Sequence, residues 1–233
     1  MLVSKKDNIC IIPARGGSKR IPSKNIKKFN NIPIIIRSIK KAIKTKLFDK
    51  IIVSTDNKKI ANISKKYGAE IHKRSKKLSN DHTDTISVIR NVILYLESKD
   101  FSYKKICCIY PTSIFYDTSD ILKGFNRLSK NKNYVISATR YEHPIHRAFY
   151  KKGKNLKMVF KNAEKKRTQD LLLTYHDAAQ FYFGWRNSWV KRKKIFSKNV
   201  DFVKLPKFRS QDFDEPIDWV NAEFLWKFKS SLK

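Results

Sequence analysis

Residues 9–25 read I-C-I-I-P-A-R-G-G-S-K-R-I-P-S-K-N, an apolar run that passes directly into a basic loop with two glycines. Ile9 to Ile12 is a short apolar run ended by Pro13, the form of a strand buried on both faces. Directly after it comes a loop with adjacent glycines, Gly16 and Gly17, and the cations Arg15, Lys19, Arg20 and Lys24. Glycine lets backbone amides approach a phosphate closely, and the cations neutralise phosphate charge. The spacing matches neither G-x-x-x-x-G-K-[ST] nor G-x-G-x-x-G. From spacing alone, a basic turn with no ligand remains the alternative.

Outward from this loop, strand and helix periods alternate. Ile34 to Lys44 has helical spacing, Lys50 to Ser54 reads as a strand, Lys58 to Tyr67 as a helix closed by Gly68, and Ala69 to His72 as a short strand. Asp84 to Ser98 predicts an amphipathic helix with Ile86, Ile89, Val92, Ile93 and Leu96 on one face. Ile106 to Tyr110 predicts a central parallel strand, followed by a helix over Ser119 to Leu128 and a strand over Tyr134 to Thr139. The alternation predicts an α/β fold with a doubly wound, mostly parallel sheet, whose ligands bind beyond the carboxyl ends of the strands. From about 141 to 173 the alternation lapses, which predicts a small excursion within a single domain spanning 1–233, with Met158 to Lys161 as a hairpin strand. Phe181 to Trp185 and Val200 to Leu205 resume the strands, and Asp218 to Lys229 predicts a closing helix with Val220, Phe224, Leu225 and Phe228 inward.

The 233 residues, 41% of them hydrophobic, supply a core that needs no staples. No apolar run approaches the roughly 18 residues needed to span a bilayer. Met1 to Asn8 lacks the apolar region of a signal peptide, so a cytoplasmic location is expected. Cys10, Cys107 and Cys108 lie in apolar strands and read as reduced, small core residues. The 52 basic and 20 acidic residues give a net charge of +32, spread over the chain rather than gathered in one tail. That favours a bias of the whole surface, with only non-specific adhesion to nucleic acid, over a dedicated polyanion face.

A second informative stretch is Gln211 to Trp219, Q-D-F-D-E-P-I-D-W. Asp212 and Asp214, one residue apart in an extended segment, point to the same side. Such a pair suits Mg²⁺, which takes one or two carboxylates and completes its shell with water and substrate phosphate; a solvated acidic turn with Asp218 as helix N-cap is the plain alternative. Ser54-Thr55-Asp56, Arg74, Asp81, Thr85 and Tyr110-Pro111-Thr112-Ser113 all fall where a doubly wound sheet presents its ligand site. The segments His143 to Arg147 and Tyr175 to Gln180 hold histidines without partner cysteines or an H-E-x-x-H pattern. They suit contacts to a carboxylated, hydroxyl-rich substrate better than zinc, with ordinary hydrogen-bonded histidines as the alternative.

Ile12 to Asn25, Ser54 to Asp56, Tyr110 to Ser113 and the Asp212-Phe213-Asp214 pair, in this order, resemble the cytidylyltransferases that activate sialic-type sugar acids as CMP conjugates. The segments Arg140 to Phe149, Arg167 to Leu171 and Tyr175 to Tyr182 resemble its pseudaminic acid branch. The resemblance implies a Rossmann-like nucleotidyltransferase in which the anomeric hydroxyl of a nine-carbon sugar acid attacks the α-phosphorus of CTP and pyrophosphate leaves. It assigns Arg15 and Lys24 to the CTP phosphates, Asn25, Arg74 and Thr85 to the nucleoside end, and counts Ala14, Gly16, Gly17 and Ser18 among the nucleotide-binding residues. Asp212 and Asp214 would hold Mg²⁺ and, with Arg15 and Lys24, form the catalytic set. Tyr110 would lie near the reacting centre and, with Thr112, bind the substrate. Sugar contacts would come from His143, Arg147, Arg167, His176, Asp177 and Gln180. A homodimer is implied, its excursion reaching the partner's site. Neuraminic, legionaminic or another ulosonic acid remains an alternative substrate, and a basic nucleic-acid-binding module a different class of function.

Overall fold

In the computed structural model, which describes residues 7–231, β1 (Asn8–Pro13) is buried at every position through Ile12. A two-strand turn follows the glycine loop, β2 (Lys28–Phe29) and β3 (Ile32–Pro33), reversing at Asn30 and Asn31 with φ of 45° and 63°. Asparagine tolerates this left-handed backbone better than most side chains. Then come α1 (Ile34–Lys44), β4 (Lys50–Thr55), α2 (Lys58–Lys66), β5 (Glu70–Lys73), α3 (Thr85–Glu97), β6 (Lys105–Ile109), α4 (Thr118–Arg127) and β7 (Tyr134–Arg140). The helix starts are capped as their sequences demand: Asn57 accepts from the amides of Lys59 and Ile60, and Asp84 from that of Ser87.

The sheet order is β11-β7-β10-β6-β1-β4-β5, with β10 (Tyr175–Trp185) and β11 (Val200–Lys204). β1 is parallel to both β4 and β6, and β4 to β5. The chain winds outward from β1 to β5 and then returns to β6 on the other side of β1. Their carboxyl ends therefore flank the switch point of the sheet, where such folds form a crevice. Alternation along β1 sends Cys10 and Ile12 into one core layer, with α1, and Ile9 and Ile11 into the other, with α3. A third cluster of Phe29, Phe115, Phe213 and Trp219 lies under the last helix, α6 (Pro216–Ser231). The three cysteines are buried and free, and among the described residues no helix is long and apolar enough to cross a membrane.

Four expectations need correction. β6 is parallel only on its β1 side; its other neighbour, β10, runs antiparallel to both β6 and β7. β10 begins at Tyr175 rather than Phe181, because a polar first half pairs with Arg140 to Ala138 before a bulge in which five steps on β10 face two on β7. The excursion's hairpin is β8 (Phe149–Lys152) with β9 (Asn155–Met158), not a strand over Met158 to Lys161. Gly153, at φ 62°, makes the turn and the second strand starts at once. The inward face of α6 is Trp219 and Ala222 with Leu225 and Trp226, whereas Val220, Phe224 and Phe228 are exposed, Phe224 by 67%. The aromatic socket around Phe29 sets this phase: Trp219 and Trp226 meet its ring at 5.8 and 5.6 Å. A short α5 (Arg186–Val190) joins β10 to the strand that follows.

Candidate functional site

A cleft of about 420 Å³ opens at the switch point between β1 and β6, the size of a small-molecule site. Its walls come from the glycine loop, the turn after β6, the bulge of β10 and the Asp212–Asp214 segment. The loop continues the β1 ladder, since the Ala14 amide donates to Ser54 O at 2.9 Å. The Gly16 amide donates to Asp56 Oδ1 at 2.8 Å, and a Cβ there would stand 2.9 Å from the Asn57 side chain, so the loop requires glycine. Gly17 has open space beside it. Buried Asn25 donates to Arg15 O at 2.8 Å and fixes that end of the loop.

The loop cations are held by carboxylates. Arg15 and Lys19 both pair with Asp81, whose carboxyl is drawn down to about 2 by hydrogen bonds from Lys19 and Arg15. Arg20 meets Asp214 at 2.7 Å, with Lys24 at 3.6 Å from the same oxygen and 2.6 Å from Phe213 O. Exposed ion pairs of this kind are weak, so a polyanionic ligand can exchange with them. Asp212 and Asp214 face the cleft because Phe213 between them is fully buried, edge-on to Phe29 and Trp219. Desolvation by the cleft walls raises the Asp212 carboxyl, and the negative charge of Asp214 adds to it. Among the described residues no group of three or more His, Cys, Asp or Glu is arranged to hold a metal. Two crowded carboxylates whose mutual repulsion a cation would relieve do fit Mg²⁺.

The opposite wall carries a polar chain. Tyr182 donates to Asp177 Oδ2, Asp177 Oδ1 accepts from the Ala179 amide at 2.8 Å, and Ala179 adopts φ 49°. The Tyr182 ring meets Tyr110 edge-on at 5.6 Å, and the Tyr110 and Thr85 hydroxyls share a hydrogen bond of 2.9 Å. Burial raises both phenols, Tyr182 further through Tyr110 and Asp177, which keeps them protonated donors.

Of the residues singled out in the sequence, Arg15, Ser18, Lys24, Asn25, Tyr110 and Thr112 line the cleft, as do Asp177, Asp212 and Asp214. Thr85 lies behind Tyr110. Arg74 is buried outside the lining, donating to Ser54 O at 2.8 Å, and burial lowers its guanidinium to about 10. Gln180 is buried, its amide donating to Ala178 O and Gln211 O. His143, Arg147, Arg167 and His176 are exposed and do not line the cleft. Arg147 donates to Glu164 O and Lys166 O, Arg167 pairs with Asp170 at 2.9 Å, and the His176 ring meets that of Tyr141 at a tilt, 4.7 Å between centroids. Tyr182 and Ala179 also line the cleft; the segment that holds them stood out in the sequence, but neither residue did individually. In a plain strand Asp177 and Tyr182, five apart, would face opposite sides; only the bulge joins them.

A sequence model described as Cytidylyltransferase matches residues 9–229. The chain is 37% identical to the pseudaminic acid cytidylyltransferase of Campylobacter jejuni serotype O:2, over 94% of this chain and 96% of that protein. It is 31% identical to the CMP-N,N'-diacetyllegionaminic acid synthase of the same serotype, over 95% and 96%. A solved CMP:2-keto-3-deoxy-manno-octonic acid synthetase complexed with CTP superposes with a TM-score of 0.68 at 13% identity, covering 97% of this chain and all of that one. The 4-diphosphocytidyl-2C-methyl-D-erythritol synthase of Anaerococcus prevotii superposes with 0.61 at 15%, over 94% and 98%; both likenesses are of fold. With the family spanning nearly every described element, this chain belongs to the cytidylyltransferases and is a nucleotidyltransferase enzyme.

Proposed function

We propose that the protein transfers CMP from CTP to the anomeric hydroxyl of pseudaminic acid, releasing pyrophosphate. The observation that carries this reading is the 37% identity to a pseudaminic acid cytidylyltransferase along 94% of the chain. The cleft supports it, with phosphate-neutralising cations on one wall and a carboxylate pair beside them.

In this reading Arg15 and Lys19 leave Asp81 for the β- and γ-phosphates, and the amides of Gly16 to Ser18 approach the same oxygens. Lys24 and Arg20 stabilise charge on the departing pyrophosphate, a role that grows as the P–O bond breaks. Asp212 and Asp214 would hold Mg²⁺, which would supply polarisation of the α-phosphate. Tyr110, Tyr182 and Asp177 form the wall against which the sugar acid is oriented for in-line attack. Buried phenols there donate hydrogen bonds and exclude water.

His143, Arg147 and Arg167 lie outside their own cleft, which favours a homodimer in which they reach the sugar bound by the partner subunit. Exposed Phe149, Tyr150 and Leu156 on the hairpin supply apolar surface for that contact. A cytoplasmic location suits an enzyme that consumes CTP.

The test is pyrophosphate release with CTP and Mg²⁺, offering pseudaminic, N-acetylneuraminic and legionaminic acids in parallel with an EDTA control. Release with pseudaminic acid alone is expected. Release only with legionaminic acid would keep the chemistry and move the substrate, in line with the 31% identity to the legionaminic enzyme. Undiminished release in EDTA would overturn the metal assignment.

A further inference from the structure

A second cavity, of about 500 Å³, lies at the far end of the same sheet, where Lys105 opens β6 and Trp185 closes β10. The five residues of β6 separate it from the catalytic cleft by roughly 13–16 Å of strand. Five of its eleven lining residues are basic, against 52 of 233 in the chain, and no carboxylate lines it among the described residues. The catalytic cleft, by contrast, mixes its cations with Asp177, Asp212 and Asp214.

The charges divide into two kinds. Arg186 is neutralised by a bidentate pair with Glu97 at 2.7 and 2.8 Å, and Lys104 by Asp7 at 2.7 Å. Lys193 is held by a neutral group, the Asn133 side-chain oxygen at 2.8 Å. Lys130 and Lys132 have no acidic partner within ion-pair distance among the described residues. Three positive charges therefore face the cavity uncompensated. Trp185 stands beside them with Lys105 Nζ over its ring at 5.2 Å and its indole N–H anchored to Ser129 O at 3.1 Å, which leaves the opposite ring face as the wall for a ligand. Anchored indole plus uncompensated ammonium groups is the arrangement that holds an aromatic ring by stacking and its phosphates by charge.

We propose that this cavity binds a nucleoside phosphate independently of metal, the ring stacking on Trp185 and the phosphates on Lys130, Lys132 and Lys193. The shared chemistry of ring and phosphate comes either from a free nucleotide or from a nucleic-acid strand. The site stands apart from the cytidylyl-transfer reading and would survive its failure.

The experiment titrates the full chain with ADP in EDTA by calorimetry. Because ADP phosphates can also meet the catalytic loop, the titrations are run in the Arg15→Ala background as well as in wild type, and binding at the distal cavity is expected to persist there. The double variant Lys130→Glu/Lys132→Glu is expected to lose at least tenfold in affinity, and Trp185→Phe about threefold. A control, Lys65→Glu/Lys66→Glu, changes the charge equally on exposed positions of α2 and is expected to retain binding. Inorganic pyrophosphate should bind more weakly than ADP, and a ten-residue oligodeoxythymidylate tests the strand as source: tighter binding lost in the same variant assigns the strand, weaker binding the free nucleotide. Lys130→Gln/Lys132→Gln, with its melting temperature, guards against misfolding of the charge-reversed protein. No ADP binding by wild type, equal loss in the α2 control, or equal affinity for pyrophosphate would overturn the proposal.

Discussion

The loop Ala14 to Asn25 and the segment 141–174 both carry cations that the sequence assigns to substrate, yet only the loop's line the cleft, and the two are anchored in different ways. The loop hangs from the ends of β1 and β4, strands buried on both faces, and is tied back by Asn25 and Asp56. In the excursion every residue of β8 is exposed, and Arg147 and Arg167 bond to neighbours in the excursion itself. Cations at strand ends are aimed by the sheet within one chain. Those of the excursion bond only within the excursion, and in the proposed homodimer the partner subunit would be what aims them.

Five measurements bear on this contrast. The largest effect is expected for Asp214→Asn: turnover measured as pyrophosphate release should fall on the order of a thousandfold with the circular dichroism melt retained. Arg15→Ala should lower kcat/KM for CTP on the order of a hundredfold, and full activity would detach the loop from the chemistry. Behind the loop, His72 is held down to about 4 by burial and then by Arg74, so the folded state binds fewer protons than the unfolded chain between that value and about 6.5. Stability should therefore be fully present above about pH 6.5 and lost as pH falls toward 4, by about 3 kcal/mol. His72→Phe should flatten that slope in denaturant titrations, whereas changes in the excursion should leave it alone. Arg167→Ala should raise KM for the sugar acid about tenfold with CTP binding unchanged, and specific activity should fall on dilution. A concentration-independent activity would break the contrast by removing the partner. Smallest of all, Asp81→Asn should lower KM for CTP about threefold by freeing Arg15 and Lys19; a raised KM would make Asp81 a positioning residue instead.

The first 140 residues were legible because buried parallel strands and one-sided helices leave strong periods, and helices α1 and α3 begin within a residue of their expected starts. Asp212 and Asp214 were legible for the same reason, with Phe213 as the inward member of a period of two. The phase of α6 was not. Its sequence is apolar on several sides, and the choice falls to the socket around Phe29, nearly 200 residues away in the chain. Tyr182 was hidden by a bulge that breaks strand alternation, and the pairing of Asp81 with Arg15 links positions 66 residues apart with no local signature.

The place of β10 also governs the order in which the molecule can be built. It fills the gap between β6 and β7, yet it is made after both of them and after the whole excursion. A nascent chain that has left the ribosome only as far as residue 174 thus leaves unpaired the two edges that β10 will join, on β6 and on β7, as well as the far edge of β7 that awaits β11. The half bearing β1, β4, β5 and β6 must wait for Tyr175–Trp185 to arrive as the keystone, and until then both edges are exposed to foreign strands. Synthesis, not only stability, therefore presses on this strand: slow translation through the excursion lengthens the interval in which the unfinished protein is most prone to aggregate.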